Sequence, residues 1–207
     1  MRIVRRLFTP LVLSVLCVLL VPASISVFAD WPRIPYDYTQ LAPGGRFVFV
    51  MLTPEEERQV PSIRSQYPEA GMYRNDGSAT PLWTVDWYSF KVDLTSDGVY
   101  LVRWGPWPGW GEFGELALAF YRNGHKLKSY KVRDLVAIPE LLPRSASHYQ
   151  WLKSALFNDA ARVVKVETYN GETYAFDVTT GAVILSSPCG RSIGSTPGQG
   201  HKRPLHC

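Results

Sequence analysis

Ser145, Ser147 and His148 stand together in Pro143-Arg144-Ser145-Ala146-Ser147-His148. A serine hydroxyl beside an imidazole is the start of nucleophilic acyl transfer. That chemistry also needs the imidazole within hydrogen-bond reach of the serine and an acid to orient it. Neither serine sits in a Gly-x-Ser-x-Gly elbow, and a serine next to a histidine is ordinarily a turn cap. Glu112 and Glu115 offer a second chemistry, since paired carboxylates hydrolyse glycosides. Their separation is not readable from sequence, and Glu115 is expected to begin a strand. Cys189, His201, His206 and Cys207 have the residue types of a zinc site but no standard ligand spacing. No catalytic residue, metal or cofactor is therefore assigned. Cys189 and Cys207 are read first as a disulfide, which suits an oxidising compartment.

The compartment follows from the first 29 residues. Arg2, Arg5 and Arg6 make a positive start, an apolar run extends from Leu11 to Val21, and Val27-Phe28-Ala29 precedes Asp30. This is the pattern of an export signal cleaved before Asp30. The chain is then secreted, periplasmic or otherwise in the cell envelope. The alternative is a membrane anchor formed by residues 7–29, which contacts a membrane only if the leader stays uncleaved. Leu16 before Cys17 departs from a lipidation pattern.

The whole chain has 22 basic and 18 acidic residues, net +4. The leader holds three Arg and no acid, which leaves 19 against 18, or +1. Nucleic-acid binding requires a clustered basic face, and with none expected in the globular part, no nucleic-acid partner is expected. The chain divides into a leader at 1–29, a β-repeat domain at 30–187 and a flexible Gly/Pro/Ser-rich tail at 188–207.

The domain repeats internally. Leu41-Ala42-Pro43-Gly44-Gly45-Arg46, Leu94-Thr95-Ser96-Asp97-Gly98 and Phe157-Asn158-Asp159-Ala160-Ala161 each lead into a β-branched and aromatic run. Each such run is followed by another strand ending in a glycine turn: Asn75-Asp76-Gly77, Asn123-Gly124 and Thr179-Thr180-Gly181. A further short strand follows each turn, at Leu82 to Val85, Leu127 to Tyr130 and Val183 to Leu185. The expected fold is all-β: about three units of a four-stranded antiparallel meander, with strands a to d. The alternative is a β-sandwich using the same strands.

Two fragments carry a resemblance. Leu41-Ala42-Pro43-Gly44-Gly45-Arg46-Phe47 is similar to the Ser-Pro-Asp-Gly-Arg-Tyr turn of β-propeller blades. Tyr174-Ala175-Phe176-Asp177-Val178-Thr179-Thr180-Gly181 resembles the end of strand c in WD-type repeats, with Phe176-Asp177 in place of Trp-Asp. The resemblance covers most of residues 33–186 and implies blade-like units. Closed propellers have four to eight blades, so three units imply an open stack or a ring completed by oligomerisation.

In a meander the a–b and c–d turns lie at one end of each sheet, and the b–c and d–a connections at the other. The first set reads as tight throughout. The long connections, Thr53 to Pro68, Gly105 to Gly114 and Lys131 to His148, all belong to the second set, where binding groups usually sit. Trp107 and Trp110, held among Pro and Gly, could form a stacking platform or fold back as a lid. Glu112, Arg144 and His148 would supply polar contacts. The expected function is an exported non-enzymatic binding or scaffold module for a glycan, peptide or protein ligand. The alternative is a small secreted serine hydrolase. Thr53-Pro54-Glu55-Glu56-Glu57 reads as a helix start, stopped by Pro61 after about two turns.

Overall fold

A computed structural model describes residues 34–54, 61–106, 108–109, 113–145 and 147–187. The leader, the tail and the proposed disulfide lie outside them. Among the described residues, twelve strands form three four-stranded antiparallel meanders. Sheet 1 contains β1 (Tyr38–Leu41), β2 (Phe47–Met51), β3 (Gly71–Arg74) and β4 (Trp83–Thr84). Sheet 2 contains β5 (Val92–Leu94), β6 (Tyr100–Trp104), β7 (Leu116–Arg122) and β8 (His125–Lys131). Sheet 3 contains β9 (Leu152–Asn158), β10 (Val163–Thr168), β11 (Thr173–Asp177) and β12 (Val183–Ser187). Within each sheet the spatial order follows the chain order. Strands therefore pair inside the repeat units, as the turn pattern predicts.

The a–b turns share one geometry. Gly45, Gly98 and Arg162 each donate a backbone N–H to the carbonyl three residues earlier, on Ala42, Thr95 and Asp159. All three residues are left-handed, with φ of 69°, 70° and 54°. Glycine takes this conformation without a steric penalty, whereas arginine does not.

Side-chain alternation turns the meanders into layers. In sheet 2, Leu101, Ala119 and Tyr121 pack in one cluster with Phe49, Met51 and Met72 of sheet 1. The intervening residues Val102, Leu118 and Phe120 pack in another cluster with Val164, Val166 and Phe176 of sheet 3. Sheet 2 is thus apolar on both faces and lies between its neighbours, which explains why β7 reads as a nearly continuous apolar run.

The outer face of sheet 1 is covered by its own b–c connection. Helix α1 (Pro61–Gln66) brings Ile63 against Val48, Val50, Tyr67 and Tyr73. Arg64 Nε lies 2.9 Å from Asp37 Oδ2, and the Asp37 carboxylate is fully buried. The Thr53 N–H donates to Asp37 Oδ1 at 2.6 Å, so the buried charge is satisfied from two sides. Pro61 is the first residue of this helix, where proline loses no hydrogen bond, and the helix expected before it falls on residues 55–60, outside the described residues. The acidic run Glu55 to Glu57 lies outside the described residues. Helix α2 (Val132–Leu135) and a 3-10 turn at Pro139–Leu141 occupy the connection from sheet 2 to sheet 3.

Candidate functional site

Two of the three long connections meet. Gly109, between β6 and β7, forms an antiparallel bridge with His148, between β8 and β9. The Tyr149 N–H donates to the Pro108 carbonyl at 3.0 Å. The Phe113 and Tyr149 rings are 4.8 Å apart at 60°. The Arg144 guanidinium lies over Tyr149, 5.0 Å from the ring centroid. Tyr149 is itself buried in the core shared by sheets 2 and 3, so the core holds this cluster in place from below. The first long connection behaves differently: its described part lies on sheet 1.

Arg144 and His148 are therefore brought to one place. Trp107, Trp110 and Glu112 lie outside the described residues, although the backbone on either side of them reaches the same place. Arg144 also donates to the Glu140 carbonyl at 3.2 Å.

The Ser/His group serves mainly to fold its own loop. Ser145 Oγ accepts the backbone N–H of His148 at 3.0 Å and that of Ser147 at 3.4 Å. Ser147 Oγ and His148 Nδ1 are 2.7 Å apart. In a hydrolytic triad the serine faces Nε2, and Nδ1 is held by the acid. Here Nδ1 faces the serine, the reverse of that arrangement. Among the described residues no cluster of His, Cys, Asp and Glu could hold a metal ion. One motif was missed at the sequence level. Gly190-Arg191-Ser192-Ile193-Gly194 has the Gly-x-Ser-x-Gly spacing, and it too lies outside the described residues. Such a motif acquires meaning only between a strand and a helix.

A second acid organises the loop end. Glu172, which is buried, accepts the Ala137 N–H at 3.1 Å and a short hydrogen bond from the Thr168 hydroxyl. It fixes the β8–β9 connection to the β10–β11 hairpin. Asp93, which has no partner visible in the sequence, accepts the Trp104 indole N–H at 2.7 Å.

The opposite end departs from the sequence reading. Unit one's c–d connection runs over residues 75–82, so not every turn there is tight. A groove of about 520 Å³ opens at that end, lined by Phe47, Leu82, Trp83, Asp97, Asn123 and His125, among others. His125 is exposed on the β7–β8 hairpin.

The sequence matches no protein-family model and no curated protein.

Proposed function

We propose that this is an exported binding or scaffold module built from propeller-like units, with its ligand face at the end where the second and third long connections join. The observation that carries the reading is the Gly109–His148 bridge, which joins two of the long loops above one aromatic and cationic cluster. Aromatic and arginine side chains dominate binding hot spots because they bury large area with few rotors to freeze. Trp107 and Trp110 extend that chemistry, and Arg144 orients a polar group of the ligand. A glycan, a peptide or a partner protein fits these groups.

The test uses glycan and peptide arrays probed with the mature protein and with its Trp107→Ala/Trp110→Ala variant. Lost binding with unchanged melting supports a ligand face. A stability loss of about 3–5 kcal/mol, with no array signal for either protein, makes the tryptophans a structural lid and removes the reading.

The second reading, a serine hydrolase, rests on the Ser147 Oγ–His148 Nδ1 contact alone, although it is made through the nitrogen that a triad gives to its acid. A covalent serine probe separates the two. Labelling abolished by both Ser147→Ala and His148→Ala would replace the binding module with an enzyme. Labelling that disappears only in Ser192→Ala would place reactivity in the tail.

A further inference from the structure

Sheet 2 ends in β5 on one side and β8 on the other, and the lysines lie on the β8 edge. β8 pairs with β7 on one side and ends the sheet on the other. Six of its seven residues are exposed. Lys126, Lys128 and Lys131 lie along it, with Arg122 before it and Arg133 just after. The acid in this stretch, Asp134, directs its carboxylate to the Lys131 backbone N–H at 2.8 Å. Among the described residues none of these five cations forms an ion pair. Lys128 instead stands 5.2 Å from the Tyr130 ring centroid, and Arg122 stands 5.9 Å from that of Tyr100. The domain as a whole is nearly neutral, so this excess is local.

Lysine on an exposed edge ordinarily guards against edge-to-edge pairing. The comparison with β12 argues for more. β12 is also an exposed edge, carries exposed Val183, Ile184 and Leu185, and has no lysine at all. If guarding explained the lysines, they would be needed there first. Register gives the array its shape. Lys128 pairs with Phe120 but Lys126 pairs with Tyr121, so the strand is bulged at Leu127. Lys131 pairs with Leu116. Lys126 and Lys131 therefore emerge on the sheet 1 side and Lys128 on the sheet 3 side. A line of cations straddles an edge of unpaired backbone donors and acceptors.

We propose that β8 is a docking edge for an extended acidic polypeptide. A linear array of cations matches a linear run of carboxylates, and the open backbone groups of the edge match an extended chain. This surface starts beside the proposed ligand face, where the Arg133 N–H donates to the Phe113 carbonyl at 3.1 Å, and runs away from it along β8.

The probe is poly-L-glutamate, with vesicles of zwitterionic and anionic phospholipid as a parallel arm, using the mature protein. Binding to poly-L-glutamate that weakens as salt rises is expected, as screening requires. The Lys126→Gln/Lys128→Gln/Lys131→Gln variant should melt like the parent and lose about tenfold or more in affinity. Poly-L-glutamate binding unchanged in that variant overturns the proposal. So does binding to anionic vesicles without binding to poly-L-glutamate, which would make the edge a membrane surface. A variant that self-associates while still binding poly-L-glutamate also overturns it, because the lysines would then be edge guards.

Discussion

The two seams of the stack solve one packing problem with different chemistry. In both, the glycine of the following unit's c–d turn settles on the preceding d strand. A Cβ at Gly124 would lie 2.5 Å from the Thr84 carbonyl oxygen, and one at Gly181 would lie 2.8 Å from Lys128. In both, an aromatic donor of that d strand bonds a glycine carbonyl: Trp83 Nε1 to Gly98 at 2.9 Å, and Tyr130 Oη to Gly181 at 2.8 Å. The a–b turns then diverge. Between sheets 1 and 2, Gly98 rests on the Phe47 ring, where a Cβ would lie 2.8 Å from the ring. Between sheets 2 and 3, Arg162 holds Asp97 at 2.8 Å and Asp159 at 3.1 Å, and the Ser96 N–H donates to Asp159 at 3.1 Å. The first seam is closed by shape and the second by charge. Repetition of a fold thus does not require repetition of its contacts; it requires that each junction be satisfied somehow.

The hydrophobic layers test whether the seams are energetically equal. Phe49 and Phe120 are both fully buried, one in each seam. Phe49→Ala and Phe120→Ala should each cost about 3–5 kcal/mol, the usual loss for a large core aromatic. Denaturant unfolding followed by circular dichroism should show one transition in each case. A second transition in Phe120→Ala alone would mean that sheet 3 unfolds by itself and that the stack is not one cooperative unit.

The glycine tuck should give the next largest effect. Gly124→Ala meets the Thr84 carbonyl and also carries a left-handed φ of 80°. Gly77→Ala carries a left-handed φ of 86° with nothing within 4 Å. The second should cost about 1 kcal/mol for backbone conformation alone, and the first about 2–4 kcal/mol because overpacking is added. Equal melting losses would show that the sheets part easily at this point and that the tuck is not a constraint.

How far these features could be read from the sequence depended on their range. Turn glycines and β-branched runs report local geometry, so the turn after even a three-residue strand is legible in Thr95-Ser96-Asp97-Gly98, whereas the bounds of that strand, Val92–Leu94, with Leu94 and Asp93 inside it, are not. What depends on a neighbour was not. Arg162 takes the left-handed place of Gly45 and Gly98, yet nothing in Asp159-Ala160-Ala161-Arg162 distinguishes it, because its partner Asp97 is 65 residues away. Pro61 alone does not say whether a helix begins at it, because proline both ends and begins helices, and the packing of Ile63 on sheet 1 belongs to the helix that begins there. The junction of two long connections at Gly109 and His148 is likewise a tertiary fact. The basic edge was legible in principle, since Arg122 to Arg133 holds the cations in one short stretch. Counting charge over the whole domain concealed it.

The charged seam gives the smallest effect and the sharpest distinction. Burial alone would raise the Asp97 carboxyl above its ordinary 3.8. The Thr95 hydroxyl, the Val99 N–H and Arg162 together outweigh burial and hold it below that value. A carboxyl whose folded pKa is depressed contributes stability that is fully present above the unfolded pKa and is lost as pH falls through the folded one. Stability supplied by Asp97 should therefore hold at neutral pH and fade below about pH 4. Both partners are about one-third exposed, at 30% and 35%, so solvent screening limits the pair to about 1 kcal/mol or less. Arg162→Gly removes the pair but also relieves a left-handed arginine, two effects of similar size and opposite sign. Arg162→Ala removes the pair and keeps the unfavourable backbone. At pH 7 the alanine variant should be the less stable of the two by about 1 kcal/mol, and the parent's advantage over it should shrink on acidification. Melting curves for the three proteins between neutral and acid pH read both effects. An advantage that stays constant down to strongly acid pH would mean that Arg162 holds the seam through packing on Tyr100, whose ring centroid lies 5.9 Å from the guanidinium, and that the two seams differ less in chemistry than their residues imply.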